Sequence, residues 1–559
     1  GRTGLDVHLT IAMLTYRRND YLAQVIPELL AQADDVCDAQ TTASVLIVDN
    51  DPQAGARAVV EAARWEAQVP AETPRGRATI GITTFNRPTD CATVLGQLGA
   101  SDTLPEVLNE VVVVDQGNKK VVDDDRFPAA RKSLGKSLRM IDQPNLGGSG
   151  GFSRGMYEAM EGGADYVLLL DDDVRVDPEG IVRAVAFADL SRVPTIVGGH
   201  MFSMYERTSL HAYAEQVQPW RFWWRAVKGT RPDHDLAIAP LRTTAWLHQR
   251  ADADYNGWWM CLIPTSVIRR IGLSLPFFIK WDDSEYGLRA QGAGVPTVSF
   301  PGAAVWHVPW TDKDDSLDWQ AYFHERNRLV AALIHSQYKH GGRVVTESMQ
   351  GQIKHLLSSQ YSVVELRLRA IEDILTGPGH LQAGISTVVP RVRALRSEFD
   401  DAVVETDPDA FPEVRREKLP RRGEYLGYPK TIVGRIAMAA KGSVKQVLPV
   451  KAMSLEHPEA RVPWSQARWW MLSQFDSAIV SNSDGSGASW YHRDTGRFRQ
   501  LLARSVVLHR RLRREWEELH AEYQASVGEV VSPEAWARTF GIAGGEASGA
   551  EVAATEESR

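Results

Sequence analysis

The stretch Val167-Leu168-Leu169-Leu170-Asp171-Asp172-Asp173 joins four aliphatic residues to three consecutive carboxylates. The aliphatic run predicts a short buried strand that ends at the carboxylates. Asp171 and Asp173 are two residues apart, so both can reach one hard cation such as Mg²⁺ or Mn²⁺. A structural alternative is an Asp-rich turn or a helix cap before Asp177-Pro178. The surrounding sequence has to decide between the two.

Strand and helix patterns alternate on the N-terminal side of this stretch. Ala78–Thr84 and Val111–Asp115 have the pattern of strands, with a helical segment between them. Such alternation predicts an open α/β sheet with crossover helices, in which ligands bind outside the carboxyl ends of the strands. Thr84-Phe85-Asn86-Arg87-Pro88 and Asp115 lie at such ends. Their polar groups are therefore candidates for contacts to a nucleotide base or a phosphate.

A similar pattern occurs earlier in the chain. His8–Thr15 and Val45–Asp49 have the pattern of strands, and a helix is predicted around Tyr21–Ala33. One imperfect repeat of a strand–helix–strand unit is not a solenoid, which needs about three copies. The Pro-containing segment Val69–Gly76 predicts a linker between the two units.

Composition narrows the class of protein. The 559 residues are 43% hydrophobic and 24% charged, which is typical of a globular chain of several domains. A net charge of −8 argues against a general nucleic-acid binder. The three cysteines are far apart and predict a reducing compartment. No apolar run approaches the ~20 residues of a membrane span, so we expect a soluble or peripheral protein.

A glycine-rich segment, Gln143–Gly151, precedes a helix that is predicted to begin near Ser153-Arg154. Glycines allow a ligand to approach the backbone closely, and a helix N-terminus offers free N–H groups to an anion. The segment matches neither a P-loop nor a dinucleotide fingerprint. The alternative is a flexible turn.

A second acidic pair, Asp282-Asp283, follows Trp281. It lies between a predicted strand, Pro276–Ile279, and a predicted helix, Ser284–Ala290. Two adjacent carboxylates raise each other's pKa, so the pair is a candidate general base. His307 lies 24 residues after Asp283 and is a candidate third metal ligand. The alternative is a core histidine with its hydrogen bonds satisfied.

Tryptophans are concentrated in the middle of the chain. Ten of the 17 fall between Trp220 and Trp319. Flat aromatic faces with N–H donors suit sugar rings, although ordinary core packing explains several of them. His211 and Glu215 are four residues apart, so they would share a helical face or pair with each other.

The pattern becomes helical from about Trp319 onward, with predicted helices at Tyr322–His335 and Val344–Leu375. Residues 415–451 carry ten Lys/Arg and two Glu. Five residues of this segment fall on one helical face: Ile432, Ile436, Ala440, Val444 and Leu448. This predicts a membrane-surface helix, and the alternative is a solvated helix packed on the domain. Residues 544–559 have the composition of a disordered tail.

Taken together, these motifs resemble those of inverting family-2 glycosyltransferases of the GT-A fold. More narrowly, residues 76–540 resemble the actinobacterial galactofuranosyltransferases that polymerise cell-wall galactan. The most specific stretches are Asp254–Trp259, Phe278–Asp283, Asp312–Asp315 and Trp319–His324.

The resemblance implies a UDP-galactofuranose donor and a lipid-linked galactan acceptor, joined by alternating β-(1→5) and β-(1→6) links. It assigns Arg87, Asp115, Asn145 and Asp172 to UDP binding, Asp171, Asp173 and His307 to Mn²⁺ or Mg²⁺, and Asp283 to the general base with Asp282 beside it. The residues that would line the acceptor and donor-sugar pocket are Trp258, Trp259, Trp224, His211, Glu215 and His324.

The expected architecture is an α/β GT-A domain at 76–325, an open mixed sheet with flanking helices, followed by a mainly helical domain at 326–543. Residues 1–75 depart from the family, whose members begin with a β domain, and are predicted to form a partial GT-A-like βαβ unit. Two other functions remain open: a transferase for another sugar such as rhamnose, and a non-catalytic carbohydrate-binding paralogue. The expected location is the cytoplasmic face of the plasma membrane, with a homo-oligomer as an open alternative and no nucleic-acid partner.

Overall fold

The computed structural model describes residues 7–15, 41–49, 75–248, 251–309, 315–415 and 430–542. The strands are β1 Val7–Thr15, β2 Thr41–Asp49, β3 Ala78–Thr84, β4 Leu108–Asp115, β5 Leu138–Asp142, β6 Tyr166–Asp171, β7 Arg175–Val176, β8 Ile196–Ser203, β9 Ser209–Ala212, β10 Glu215–Val217, β11 Trp224–Ala226, β12 His234–Asp235, β13 Asp252–Ala253, β14 Met260–Pro264, β15 Thr297–His307, β16 Ala460–Val462, β17 Ser477–Ser481 and β18 Ala488–His492.

The helices are α1 Pro88–Gly99, α2 Phe127–Leu134, α3 Gly147–Glu161, α4 Pro178–Asp189, α5 Thr265–Ile271, α6 Asp282–Gly292, α7 Ala321–His335, α8 Val344–Leu357, α9 Tyr361–Ile374, α10 Gly379–Gly384, α11 Val388–Arg396, α12 Ile432–Val447, α13 Met453–Glu456, α14 Trp469–Leu472, α15 Thr495–Arg514, α16 Trp516–Val530 and α17 Pro533–Phe540. The predicted helix at Tyr21–Ala33 and the predicted tail at 544–559 lie outside the described residues, as do residues 416–429 of the basic segment.

One mixed sheet organises residues 76–325, the predicted GT-A domain, here called the catalytic half. Its central strands run in the order β14-β6-β3-β4-β5. β6, β3, β4 and β5 are parallel, whereas β14 is antiparallel to β6. The parallel strands are nearly continuous aliphatic runs because helices cover both faces of such a sheet. The predicted open α/β sheet is therefore present.

The register of this sheet places three polar strand ends side by side. Thr84 of β3 pairs with Asp115 of β4, and Thr83 of β3 pairs with Asp171 of β6. The strands are parallel, so their carboxyl ends meet at one edge of the sheet. The predicted ligand-binding edge thus has a structural basis.

β1 and β2 form a separate parallel pair, with Val7 opposite Thr41 and Thr15 opposite Asp49. Parallel pairing requires a crossover connection, and that connection falls outside the described residues. The predicted domain boundaries, including the βαβ unit at 1–75, stay predictions.

Three local predictions are wrong. The segment Pro276–Ile279 is not a strand but an irregular loop, because side chains of α7 hold its carbonyl groups. The glycine-rich helix begins at Gly147 rather than near Ser153. A Cβ at Gly147 would lie 2.1 Å from the carbonyl oxygen of Phe278, so the glycine allows close packing against this loop. His211 and Glu215 lie on β9 and β10, so they do not share a helical face.

The residues from 326 to 542, here called the helical half, share a buried core with the catalytic half. The segment Val344–Leu375, predicted to be helical, forms two helices, α8 and α9, which are separated by a turn with Ser359 at φ 55°. α17 returns to the catalytic half, where the buried Trp536 donates its indole N–H to the carbonyl of Ser274 at 2.9 Å. Of the helices in the described ranges, none is both long and apolar enough to cross a bilayer.

Candidate active site

Two carboxylates and one imidazole meet at the sheet edge. Asp171 ends β6, Asp173 lies two residues later, and His307 ends β15. One ligand atom from each lies within 4.8 Å of the other two. The His307 Nε2 atom is 3.0 Å from a carboxylate oxygen of Asp173 and 3.8 Å from one of Asp171. Two oxygen donors and one nitrogen donor suit a hard divalent cation such as Mn²⁺ or Mg²⁺. These residues therefore fit the predicted metal site.

A backbone contact orients the imidazole of His307. The Nδ1 atom lies 2.6 Å from the carbonyl oxygen of Val308, so Nδ1–H donates there and Nε2 faces the two carboxylates. Metal-binding histidines commonly donate their second ring nitrogen to a carbonyl in this way. The side chain is also 6% exposed, which restricts its rotation.

Arg87 and Asp172, two of the residues predicted to bind UDP, lie next to the carboxylates of Asp171 and Asp173. Arg87 forms an ion pair with Asp173 and lies 3.9 Å from a carboxylate oxygen of Asp172. Burial, and then the charge of Asp173, raises the pKa of Asp172 to about 7. The guanidinium of Arg87 is about half exposed, so it can also contact a phosphate at this edge.

Asp115 and Asn145 shape their own loops. The oxygens of Asp115 accept hydrogen bonds from the backbone N–H groups of Gly117 and Val121, at 3.0 and 2.9 Å. Asn145 accepts one from the N–H of Gly147 at 3.0 Å. Asp115 ends β4 at the sheet edge and Asn145 lies two residues before α3, and their contacts to UDP stay predictions.

Asp282 and Asp283 are the first residues of α6; Asp282 is buried and Asp283 is half-buried. Burial raises the pKa of each carboxyl above its usual value. The charge of Asp283 raises the pKa of Asp282 further, and the charge of Asp171 raises that of Asp283. A carboxylate with a raised pKa is suited to act as a general base near neutral pH.

The loop before α6 has an unusual backbone. Phe278, Lys280 and Trp281 have φ values of 70°, 69° and 71°. Left-handed conformations cost L-residues roughly 1–2 kcal/mol each, so surrounding contacts have to stabilise the loop. Lys280 forms an ion pair with Asp315 and lowers the pKa of both Asp282 and Asp283 through its charge.

Glu215 is influenced by Asp283, the predicted general base. Burial, and then the charge of Asp283, raises its pKa to about 8, and its carboxyl is hydrogen-bonded to Tyr255. His211, by contrast, lies 2.5 Å from a carboxylate oxygen of Asp233. His211 and Glu215 thus have Asp233 and Tyr255 as partners, and their pairing with each other stays a prediction.

Aromatic side chains cover the start of α6. Trp224 stacks on Trp281 with ring centroids 4.6 Å apart and donates its indole N–H to Ser284 Oγ at 3.2 Å. His324 lies edge-on to Trp224 at 5.9 Å. Trp224 and His324 thus lie together at the start of α6, as expected for two residues predicted to line one sugar-binding pocket. Their contact with a sugar stays a prediction.

Trp258 and Trp259 are mostly packed in the core. Trp258 lies edge-on to Phe152 at 5.3 Å and is 5% exposed. Trp259 donates its indole N–H to the carbonyl of Gly199 at 2.8 Å and is 6% exposed. Core packing, the alternative considered from the sequence, accounts for most of their surface. Their contact with the acceptor stays a prediction.

Several residues that organise the site were missed from the sequence. Gln116 donates to the carbonyl of Gly147 at 2.9 Å and accepts from the N–H of Leu146 at 2.8 Å, which sets the glycine-rich turn. Asn327 and Ser149 hold the loop before α6. These contacts join distant parts of the chain, so no local sequence pattern marks them.

Comparison with known proteins assigns the family. The family described as "Glycosyltransferase like family 2" matches residues 74–332, and the family described as "Galactofuranosyltransferase-2, domain 3" matches residues 344–542. Galactofuranosyltransferase GlfT2 of Mycolicibacterium smegmatis is 39% identical over 486 residues, covering 85% of this chain and 74% of that protein. The chain belongs to the GlfT2 family.

The GlfT2 protein of Mycobacterium tuberculosis is also 39% identical, over 84% of this chain and 74% of its own length. A solved structure, S. aureus TarS 1–349, aligns at 13% identity with a TM-score of 0.33, over 59% of this chain and 94% of that one. Membership in the GlfT2 family confirms the predicted resemblance to galactofuranosyltransferases. It also confirms the enzyme class, a hexosyltransferase. The predicted GT-A fold, with a mixed sheet followed by a helical region, is confirmed as well.

Proposed function

We propose that this chain transfers galactofuranose from UDP-galactofuranose to a lipid-linked galactan acceptor, with β-(1→5) and β-(1→6) links and inversion at the anomeric carbon. The proposal rests chiefly on the cluster of Asp171, Asp173 and His307 at the sheet edge. It also rests on the half-buried Asp283 carboxylate at the start of α6, whose pKa is raised by burial and, in smaller part, by the charge of Asp171. A base on one side of a site and a leaving-group site on the other are the requirements of a single displacement.

The donor side is formed by the sheet edge and the start of α3. Asp171, Asp173 and His307 would hold Mn²⁺ or Mg²⁺, which when bound neutralises charge on the diphosphate leaving group. The half-exposed guanidinium of Arg87 would contact a phosphate of the donor. These residues bind and orient the UDP portion of the donor.

The acceptor side is formed by α6 and the aromatic side chains around it. Asp283 accepts the proton of the attacking hydroxyl group, and Asp282 lies next to it. Trp224 and His324 lie at the start of α6, and together with Glu215 they would contact the acceptor sugar. A hydroxyl that attacks from the side opposite to the leaving group inverts the anomeric carbon.

The reaction is tested by incubating the protein with UDP-galactofuranose, Mn²⁺ and a short galactofuranosyl acceptor, followed by mass spectrometry. We expect a ladder of products spaced by one hexose. A parallel incubation with a nucleotide-linked rhamnose donor is expected to give no product. Transfer of rhamnose but not galactofuranose, or no transfer with either donor, would contradict the proposal.

Replacement of Lys280 should change the pH dependence of transfer. The positive charge of Lys280 stabilises the ionised form of Asp283 and so lowers its pKa. Removing that charge in Lys280→Gln raises the pKa, so a higher pH is needed to ionise the base. We expect the acid limb of the kcat/KM profile to move to higher pH. Lys280→Arg keeps the charge and serves as the control.

The other charged groups near Asp283 do not reverse the expected shift of the acid limb. Three of them are acidic, Asp171, Asp282 and Glu215, so none of these three can replace the positive charge of Lys280. An acid limb that is unchanged in Lys280→Gln, or that moves equally in Lys280→Arg, would contradict this assignment.

We further propose that α12 binds the surface of an anionic membrane, where a lipid-linked acceptor is found. Its buried face docks through Gly442 and Gln446, whereas Ile432, Ile436 and Val444 are 68%, 63% and 59% exposed. Basic residues flank this apolar stripe in the segment 415–451, which carries a net charge of +8. An apolar stripe with flanking lysines and arginines is typical of interfacial helices.

Ile432→Glu/Ile436→Glu should weaken binding to phosphatidylglycerol vesicles by at least about tenfold, because two apolar side chains no longer enter the interface. Binding is measured by vesicle co-sedimentation. The matched control is Val193→Glu/Ile238→Glu, which changes two exposed apolar residues of the catalytic half. Equal binding by the two double variants would contradict a specific role for α12.

A further inference from the structure

Residues 277–281, here called the base loop, lead directly into the two carboxylates that open α6. Three of its residues, Phe278, Lys280 and Trp281, have left-handed backbone conformations although none is glycine. Such conformations persist only where surrounding contacts hold them. The contacts that hold the base loop therefore decide where Asp283 lies.

One side of the base loop is held by α7. The side-chain amide of Asn327 donates to the carbonyl oxygens of Phe277, Ile279 and Lys280, at 3.2, 2.8 and 2.8 Å. Arg326 donates to the Phe277 carbonyl as well, at 2.7 Å. Asn327 is fully buried, so no water can replace its amide hydrogens without a change in packing.

The other side of the base loop is held by α3, the helix that begins at the glycine-rich turn. The backbone N–H of Phe278 donates to Ser149 Oγ at 2.7 Å, and the N–H of Ser149 donates to the Phe278 carbonyl at 3.2 Å. Gly147 approaches the same carbonyl too closely for any side chain. A Cβ at Gly148 would lie 3.6 Å from a carboxylate oxygen of Asp282. The donor side and the base side are thus joined through this loop.

We propose, building on the proposed function, that Asn327 is a positioning residue: it holds the base loop against α3 and thereby sets the distance between Asp283 and the donor. An amide group is suited to this task because it presents two N–H hydrogens to a ring of three carbonyl oxygens. The change Asn327→Asp would place a carboxylate against those carbonyls, and Asn327→Ala would leave them unsatisfied. Asn327 touches neither substrate nor reacting atoms, so its effect on catalysis passes through the loop.

The test compares Asn327→Ala with Ser149→Ala and with Tyr322→Phe. Tyr322 lies on the same helix and donates a buried hydrogen bond to Asp373 at 2.5 Å. Tyr322→Phe therefore removes this hydrogen bond, and the one that Arg391 donates to the Tyr322 hydroxyl at 3.3 Å, without touching the base loop. The measurements are kcat, the KM for UDP-galactofuranose, the affinity for UDP with Mn²⁺, and the midpoint of thermal unfolding.

We expect kcat to fall by about 10- to 100-fold in Asn327→Ala, since a displacement near 1 Å can cost that much. The KM for the donor and the affinity for UDP should stay within about threefold of the original protein. Ser149→Ala should lower kcat in the same way. Tyr322→Phe should lower the unfolding midpoint yet keep kcat.

A kcat within twofold of the original in folded Asn327→Ala would overturn this role, as would an equal loss of kcat in Tyr322→Phe. If Asn327→Ala does not fold, Ser149→Ala decides by the same criteria. Asp283→Asn is measured in parallel. Activity in Asp283→Asn would contradict the proposed function, whereas an inactive Asp283→Asn with a normal Asn327→Ala would contradict only the positioning role.

Discussion

Asp283→Asn is expected to remove galactofuranosyl transfer while UDP still binds in the presence of Mn²⁺. The substitution keeps the size of the side chain but removes its ability to accept a proton from the acceptor hydroxyl. General-base assistance is worth about 10²–10⁴-fold in rate, so the loss should be at least that large. Because Asp283 lies on α6 and the residues proposed to bind UDP and the metal lie at the sheet edge, affinity for UDP should change little.

The control for this variant is Asp401→Asn. Asp401 is a buried carboxylate, and it accepts hydrogen bonds from Ser362 in the helical half. Its replacement removes a buried charge without touching the site, so transfer should continue in the folded protein. Transfer and UDP affinity are measured by product formation and by calorimetry. Near-normal turnover of Asp283→Asn would eliminate this residue as the base.

The second large effect is expected for Asp173→Ala. Asp173 contributes one of the two carboxylates of the metal cluster and also forms an ion pair with Arg87. Even loss of a group that only supports a metal ligand costs about 10–100-fold in metal affinity, so loss of a ligand should cost at least as much. The difference in UDP affinity with and without Mn²⁺ should therefore disappear.

Asp125→Ala, a change at an exposed carboxylate on the surface of the catalytic half, is the matched control and should keep the Mn²⁺ dependence. The measurement is a UDP titration with and without Mn²⁺. An unchanged gain in UDP affinity on adding Mn²⁺ to Asp173→Ala would count against the assignment of this metal ligand.

The sequence allowed the sheet edge to be predicted because its features are local. An aliphatic run followed by Asp171–Asp173 marks a buried strand and its end, and the parallel arrangement then brings Asp115 and Asp171 to one edge. His307 was identified as a third ligand only as a candidate. Its orientation depends on the contact with Val308 and on strand pairing far along the chain.

The base loop shows where local patterns fail. Pro276-Phe277-Phe278-Ile279 has the composition of a strand, yet its carbonyl groups are bound by side chains some 50 residues away on α7. The spacing of His211 and Glu215 similarly fits a helix, but both lie on short strands with other partners. Long-range contacts overrode the local pattern in both cases: side-chain hydrogen bonds from α7 at the loop, and strand pairing at β9 and β10.

The most direct test of a base opposite a metal-bound leaving group is the configuration of the product. The protein is incubated with UDP-galactofuranose, Mn²⁺ and a short galactofuranosyl acceptor, and the new glycosidic bond is examined by NMR of its anomeric proton. A single displacement with Asp283 as base predicts that every new bond has the configuration opposite to that of the donor. Products that retain the configuration of the donor would contradict this mechanism.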